Sequence, residues 1–290
     1  MTRIVTHNAK FHADDVFAIA TLLLIYPDAE VVRSRDKRDI ESADIVVDVG
    51  FEYDPARGRF DHHQPGGAGE HVHGVQYASF GLIWKEYGSL IAGGDEEAIL
   101  VEEKLVVPID AADNGITLTA SLIPGLDEYR LDDLCGSFVD LTKEPAEVDA
   151  AFFELVSVAK RVIENESRIA KLRVSSRALV EKAYEGANDK RVIMLENSMP
   201  WADVLLNKPE PLFVIFKVHE GKWYVRGIPD AKGSFKTRKP FPEEWAGKGD
   251  TELEELTGVP GALFCHRSRF LAGASTKEGA LELAQKALNA

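Results

Sequence analysis

The stretch RIVTHNAKFHADD, residues 3–15, has the pattern of a strand followed by a loop and a helix. Its β-branched start, Arg3–Thr6, predicts a short buried strand. Two acidic residues, Asp14 and Asp15, suit the positive end of a helix dipole. They open a helical pattern that continues to Tyr26 and stops at a proline. The stretch therefore predicts the first strand–helix unit of an α/β fold.

The alternation continues along the first part of the chain. Apolar β-branched runs predict further strands at Val31–Val32 and Ile45–Val47. The predicted helices that follow cover residues 76–87 and 95–113. Alternating elements of this kind favour a doubly wound, mostly parallel sheet, in which a site gathers at the carboxyl ends of the strands. His7 and Asp48 directly follow two of the predicted strands, so we expect both at that edge.

A different pattern marks the second half of the chain. Apolar residues recur at helical spacing over residues 145–186 and predict a long helix, or two, that links two domains. Strand signals return from Arg191 onward. We therefore expect a first α/β domain over 1–144, a helical linker over 145–186, and a smaller α/β domain over 187–290.

Composition narrows the class of partner. The net charge of −14 argues against a broad, nonspecific grip on duplex DNA, although a short single strand could still be bound by a local basic patch. The two cysteines, Cys135 and Cys265, are typical of reduced, buried thiols, so we expect a cytoplasmic protein. The apolar runs are too short to span a bilayer, and we expect no membrane partner.

Four segments of the first 115 residues offer His and Asp near predicted strand or helix ends. The predicted metal ligands are His7, His12, Asp14, Asp48, Asp61, His62, Asp110 and Asp113. Mixed imidazole and carboxylate ligands suit two divalent ions, with Mn²⁺ favoured and Mg²⁺ or Co²⁺ as alternatives. Two such ions can activate water against a phosphoester. Taken singly, each segment has a simpler explanation, such as an aspartate that caps a helix.

The order of these motifs resembles the DHH phosphoesterase superfamily and, within it, the Myg family of melanocyte-proliferating-gene-type exonucleases. The matching N-terminal motifs are THNAKFHAD (6–14), VVDVG (46–50), EYDP (52–55), FDHHQ (60–64) and DAADNG (110–115). The likeness continues through SFKTR (234–238), PEEW (242–245), GVPG (258–261) and FCH (264–266). It covers nearly the full chain.

The resemblance implies a Mn²⁺-dependent 3′→5′ exonuclease that acts on RNA or single-stranded nucleic acid. It makes Asp48 and Asp61 the candidates to bridge two ions, and it implies that His63 contacts the scissile phosphate or orients a ligand. The predicted catalytic residues are His63, Asp61 and Asp15; Asp15 stands where the family usually has Glu, and we expect it to support the metal ligands. The fourth motif leaves Asp110 and Asp113 as alternatives, and we favour Asp113.

The resemblance also implies that the C-terminal domain holds the substrate. Six basic residues against two acidic ones over 220–240 are compatible with this, although a solvated surface is the common alternative. We favour Arg238 and Arg269 as phosphate contacts because planar phosphate contacts favour Arg over Lys. The remaining candidates for substrate binding are Ser234, His266, Gly273, Ser275, Thr276 and Lys277. Ser275 or Thr276 could instead cap the last helix.

Other functions remain open at this stage. A small-molecule phosphohydrolase acting on pyrophosphate or a dinucleotide could use the same metal ligands. A non-catalytic metal-binding regulatory protein is a third class, disfavoured by the complete ligand set. A histidine pair in the glycine-rich loop, His71 and His73, is more often exposed than functional. A homodimer is compatible with the sequence.

Overall fold

The mostly parallel sheet predicted from Arg3 onward is present in the computed structural model, which describes the whole chain, Met1–Ala290. Two units divide the chain, residues 1–171 and residues 172–290. Each unit has its own five-stranded sheet and its own apolar core. The fold class is the α/β class that the alternation of strands and helices predicts.

The sheet of the first unit has the order β2-β1-β3-β5-β4. Its strands are β1 (Arg3–Thr6), β2 (Glu30–Arg33), β3 (Ile45–Val47), β4 (Tyr53–Asp54) and β5 (Arg59–Phe60). All neighbours pair in parallel except β4 and β5, which form an antiparallel hairpin. This hairpin was not predicted, because two-residue strands leave no periodic signal. The carboxyl ends of β1 and β3 lie side by side, since Thr6 is paired with Val47.

The helices of the first unit begin with α1 (Ala13–Ile25), which is buried on all sides from Ala13 to Leu22. The others are α2 (Lys37–Ser42), α3 (Ser79–Ala92), α4 (Asp95–Val101), α5 (Val107–Asp113) and α6 (Leu131–Ser137). A π-helical segment, Glu102–Val106, joins α4 to α5 directly. The helical pattern predicted over 95–113 is therefore one continuous run, with the π-helical turn just before Pro108, which has no amide hydrogen to donate.

The long helix predicted over 145–186 is confirmed as α7, Pro145–Gly186, a single helix of 42 residues. Its first half contributes Phe152, Val156 and Ile163 to the core of the first unit. Its last turns contribute Val180 to a core of the second unit. The division between the two units falls inside this helix, between Lys171 and Leu172. None of the helices has the length and apolarity needed to cross a membrane.

The second unit has a mixed sheet of order β6-β7-β8-β10-β9. Its strands are β6 (Val192–Leu195), β7 (Phe213–Lys217), β8 (Trp223–Gly227), β9 (Ala262–Cys265) and β10 (Leu271–Ala274), and its helices are α8 (Ala202–Leu205), α9 (Asp250–Thr257) and α10 (Lys277–Asn289). β6 and β7 are parallel and the other pairs are antiparallel. β10 was not predicted, because its sequence, LAGA, has no β-branched residue.

Candidate metal centre

A cavity of about 1140 Å³ opens at the carboxyl ends of β1 and β3 in the first unit. His7 follows β1 and Asp48 follows β3, so the two parallel strands deliver both side chains to one edge of the sheet. His62 and Asp113 line the same cavity from the loop after β5 and from the end of α5. The cavity is where the sequence predicts a site.

His7 joins β1 to the start of α1. Its Nε2 lies 3.1 Å from Asp48 Oδ2 and 3.3 Å from Asp15 Oδ2. Burial disfavours the charged ring, but the hydrogen bond to Asp48 and the charge of Asp15 together raise the pKa of His7. His12 is half-buried, and burial lowers the pKa of its ring. His7 is therefore the more strongly paired of the two imidazoles on this side of the cavity.

Asp14 and Asp15 lie in the first turn of α1 and are both fully buried. Asp14 accepts hydrogen bonds from the amides of Ser79 and Phe80, at 3.1 and 2.6 Å, which fastens α1 to the N-terminus of α3. Burial and the nearby carboxylate of Asp48 raise the pKa of Asp14 well above its usual value. Asp15 accepts the His12 amide at 2.7 Å, and burial raises the pKa of Asp15 to about 7.

Asp48 lines the cavity and is buried, with a left-handed backbone at φ 57°. Its Oδ2 faces His7, whereas its Oδ1 lies 3.5 Å from His62 Nε2 and accepts a hydrogen bond from Ser79 Oγ at 3.2 Å. Burial opposes its charge, yet the imidazoles of His62 and His7 lower the pKa of Asp48 below its usual range. Asp48 thus stays ionised between two histidines.

The three side chains of the DHH segment, residues 61–63, have different partners. Asp61 is buried and accepts hydrogen bonds from the Phe51 amide at 2.6 Å, the His63 amide at 3.0 Å and His63 Nδ1 at 2.8 Å. His62 Nε2 lies 3.2 Å from Asp113 Oδ2. Although burial disfavours the charged ring, Asp113 and Asp48 raise the pKa of His62 to about 11. The His63 side chain is 51% exposed at the cavity mouth.

The two aspartates of the fourth motif, Asp110 and Asp113, lie on different faces of α5. Asp113, at the helix end, faces His62 in the cavity. Asp110 is fully buried on the other side, where its Oδ1 accepts the Gly81 amide at 3.1 Å and its Oδ2 lies 2.7 Å from His71 Nε2. A Cβ at Gly81 would lie 1.8 Å from Asp110 Oδ2, so this close approach requires glycine. The geometry favours Asp113 over Asp110 as the candidate ligand.

Three groups of side chains have donor atoms within 4.8 Å of one another, as a bound cation requires. The groups are His7, His12 and Asp15; Asp48, His62 and His63; and Asp14, His62 and Asp113. Imidazole nitrogen with carboxylate oxygen is a donor set for divalent transition ions. Two buried donor atoms, Asp15 Oδ2 and His62 Nε2, lack a well-aligned hydrogen bond despite their charged neighbours, which fits a cation as their partner.

Most of the sequence-based ligand candidates converge here. His7, His12, Asp14, Asp48, His62 and Asp113 all belong to these groups. Asp61 and Asp110 belong to none, because their oxygens are directed at amides and histidines. Asp15 and His63, predicted as catalytic rather than as ligands, lie within the groups. The expectation that Asp61 bridges two ions stays a prediction.

Sequence reasoning missed several residues that hold this centre in place. Ser79 donates to Asp48, and nothing in its sequence context indicates this. His71, treated as an exposed loop residue, is buried between Asp110 and Glu102, whereas His73 is exposed. Arg33 is also buried, and it donates to the carbonyl of Ala9 in the loop between His7 and His12.

The two arginines favoured for phosphate binding in the second unit are engaged with backbone carbonyls. Arg238 donates to the carbonyls of Leu206, Lys208 and Pro211 at 2.8, 2.5 and 3.1 Å. Arg269 donates to the Phe241 carbonyl at 3.3 Å from a left-handed backbone position. Arg238 makes three hydrogen bonds to the backbone of residues 206–211. They favour a structural role for Arg238, which holds this loop, rather than a contact with phosphate.

The other candidates of the second unit have separate surroundings. Thr276 is the N-cap of α10 and accepts the Gly279 amide at 3.1 Å, so the capping alternative describes it. Lys277 is paired with Glu196 at 2.6 Å. The His266 ring lies 4.5 Å from the Phe270 ring. The remaining three are Ser234, half-buried in a turn, Gly273, buried in β10, and Ser275, which is exposed.

The fold and the site together define an α/β protein with His/Asp groups, at the carboxyl edge of a parallel sheet, that could hold metal ions. The chain also matches, over residues 3–288, the family model MYG1_exonuc, described as Uncharacterised protein family (UPF0160). It belongs to this family.

Named relatives match over almost the whole chain. The human protein named MYG1 exonuclease is 32% identical, over 99% of this chain and 85% of its own length. The Dictyostelium discoideum MYG1 protein is 32% identical over 99% of this chain and 96% of its own. Among solved structures, an uncharacterized protein from Helicobacter pylori G27 matches over 99% of this chain and 100% of its own, at 12% identity and a TM-score of 0.25.

Proposed function

We propose that this protein is a phosphodiesterase that requires divalent metal ions, with Mn²⁺ favoured, and that removes nucleotides from the 3′ end of RNA or single-stranded nucleic acid. The observation that carries the proposal is the convergence of three His/Asp groups at one cavity, with Asp14 and Asp15 buried behind the side chains that line it. Membership of the family supports it, since the human and rat members carry the name MYG1 exonuclease.

The ligand roles follow from the positions of the donor atoms. His7, His12 and Asp15 would hold one ion, and Asp14, His62 and Asp113 a second. Asp48 is placed to serve both, because its Oδ2 faces His7 and its Oδ1 faces His62. When bound, such ions supply an acidified water and stabilise charge on phosphoryl oxygens.

His63 can meet a substrate phosphate directly. Its ring is half exposed at the mouth, and its Nδ1 is fixed on the buried carboxylate of Asp61 at 2.8 Å. With Nδ1–H donating to Asp61, the Nε2 atom is left to face incoming substrate. Asp61 thereby sets the orientation and tautomer of His63.

Two basic side chains lie beside the acidic residues of the cavity. Lys10 and Arg35 line the same cavity as the carboxylates, and both are exposed. Although the whole chain carries a charge of −14, these two side chains give an incoming phosphate a local attraction at the cavity. They fit a short single strand better than a long duplex, which needs a wider cationic footprint.

Aromatic and basic side chains of the second unit support binding of a single strand there. Phe235 is 77% exposed and lies edge-on to Phe270, 6.0 Å away. The guanidinium of Arg226 lies 5.6 Å from the Phe270 ring and 5.9 Å from that of Trp201. Arginine interleaved with aromatic rings is a combination that holds unpaired bases and phosphates.

The test is a hydrolysis assay on purified protein, stripped with chelator and resupplied with Mn²⁺. A 5′-labelled single-stranded RNA and pyrophosphate are incubated in parallel with the wild type, with His62→Ala, and with His73→Ala as the matched exposed control. We expect a ladder that shortens from the 3′ end with the wild type and with His73→Ala, and none with His62→Ala. Phosphate release from pyrophosphate alone would replace the proposal with a small-molecule phosphohydrolase.

A further inference from the structure

Phe51 is an exposed aromatic residue on the wall of the metal cavity. Its side chain is 71% exposed, although it lines the same cavity as His7, Asp48 and His62. A large apolar side chain gains little folding energy from such a position, because the hydrophobic contribution requires removal from water. Its placement therefore needs a reason other than core packing.

The backbone under Phe51 is unusual as well. Within the four residues Asp48–Phe51, three have a left-handed backbone, with φ of 57° at Asp48, 103° at Gly50 and 57° at Phe51. Bulky residues rarely adopt this region, and strained residues of this kind cluster at functional sites. The strain is held in place by the Phe51 amide, which donates to the buried Asp61 Oδ2 at 2.6 Å.

The ring of Phe51 is oriented beside the residue expected to meet the phosphate. Its centroid lies 6.3 Å from that of the His63 ring, at an interplanar angle of 69°. Asp61 anchors both residues, since one oxygen accepts the Phe51 amide and the other accepts His63 Nδ1. The backbone of Phe51 and the ring of His63 thus share one anchor, and this places an exposed aromatic surface beside the position expected for the phosphate.

We infer that Phe51 stacks on a nucleobase next to the scissile phosphate and so selects nucleotides over phosphoesters that lack a base. Every base has a π face, so stacking of this kind is tolerant of sequence, as an exonuclease requires. Pyrophosphate has no surface for this ring to contact. The inference rests on the proposed function and deepens it, because it assigns the substrate class to a residue outside the metal ligands.

The experiment compares short RNA substrates that carry a base, or an abasic ribose, at the last or the penultimate 3′ position. For the wild type we expect KM to rise on the order of tenfold when the stacked base is missing. Phe51→Ala should raise KM for the intact RNA by a similar factor and should show no further rise with the abasic RNA. Phe51→Trp should keep the preference for the base, and Val72→Ala, which truncates another exposed apolar residue, should leave KM unchanged.

A stability measurement distinguishes the effect of the Phe51 side chain on KM from the effect of its backbone strain on folding. Glycine accepts a φ of 57° without strain, so Phe51→Gly should unfold at a higher temperature than Phe51→Ala while sharing its raised KM. If the wild type shortens RNA but treats intact and abasic substrates alike, the role of Phe51 is wrong and the proposed exonuclease stands. If Phe51→Ala loses turnover equally on both substrates, the role is also wrong. Absence of any RNA hydrolysis by the wild type would instead overturn the proposed function.

Discussion

The Nε2 atom of His71 lies 2.7 Å from Asp110 Oδ2, and both side chains are almost fully buried. On its other side, His71 Nδ1 lies 2.7 Å from Glu102 Oε1, in the first residue of the π-helical segment. Burial disfavours the charged imidazole, but Asp110 and Glu102 raise the pKa of His71 to about 9. A protonated ring thus ties the glycine-rich loop to the helix that ends at Asp113.

Replacing His71 by Ala should leave Asp110 buried without its charged partner. Breaking a buried ion pair from one side is expected to lower the free energy of unfolding by about 3 kcal/mol. His73, two residues further on and exposed, supplies the control, and His73→Ala should stay within about 0.5 kcal/mol of the wild type. Urea unfolding followed by circular dichroism measures both. Equal stability of the two variants would show that the pair does not hold the loop.

The parts of the site that could be predicted are those set by strand ends. The β-branched runs Arg3–Thr6 and Ile45–Val47 are readable as strands, so His7 and Asp48 follow from the rule that parallel strands end at one edge. Long apolar periodicity likewise predicted α7 over nearly its full length.

The parts that could not be predicted depend on which way a side chain turns. Asp110 and Asp113 share one short helix, and only the position of the Gly81 amide and His71 decides which of them faces the cavity. The same holds for Arg238, because a basic residue has the same pattern in sequence whether its guanidinium meets a phosphate or a carbonyl. Partners distant in sequence determine these directions, and local patterns carry no information on them.

The two acidic residues predicted to bridge the ions should behave differently. Asp48 lies between two histidines, whereas the carboxylate oxygens of Asp61 accept hydrogen bonds from His63 and from the Phe51 amide. We expect Asp48→Asn to abolish tight Mn²⁺ binding in calorimetric titration. Asp61→Asn should keep most of the Mn²⁺ affinity but lose about 10–100-fold in activity, because the partner that orients His63 is weakened. Loss of Mn²⁺ binding in both variants would instead make Asp61 a ligand.

Binding of Mn²⁺ should release protons. Burial raises the pKa of Asp15 to about 7, and His62, although buried, is held protonated by Asp113 and Asp48 with a pKa of about 11. Metal ligands must be deprotonated, so protons compete with the ion and the apparent affinity should rise as the pH increases through about 7. Calorimetry in two buffers of different ionisation enthalpy, at roughly pH 6 and roughly pH 8, counts the protons released. Asp15→Asn should remove the step near pH 7, and an affinity independent of pH in the wild type would contradict the assignment of these residues as ligands.

A substitution of Arg238 tests whether this residue stabilises the fold or contacts phosphate. Its guanidinium donates to the carbonyls of Leu206, Lys208 and Pro211, and a hydrogen bond to a charged group contributes about 1.5–3 kcal/mol when it is buried. All three hydrogen bonds are part-buried rather than fully buried, so we expect Arg238→Met to lower the free energy of unfolding by about 2 kcal/mol. Lys236→Met removes one positive charge from a side chain that is 83% exposed and should leave stability unchanged. If Arg238→Met unfolds like the wild type but raises KM for RNA more than Lys236→Met does, then Arg238 contacts phosphate and its carbonyl partners are incidental.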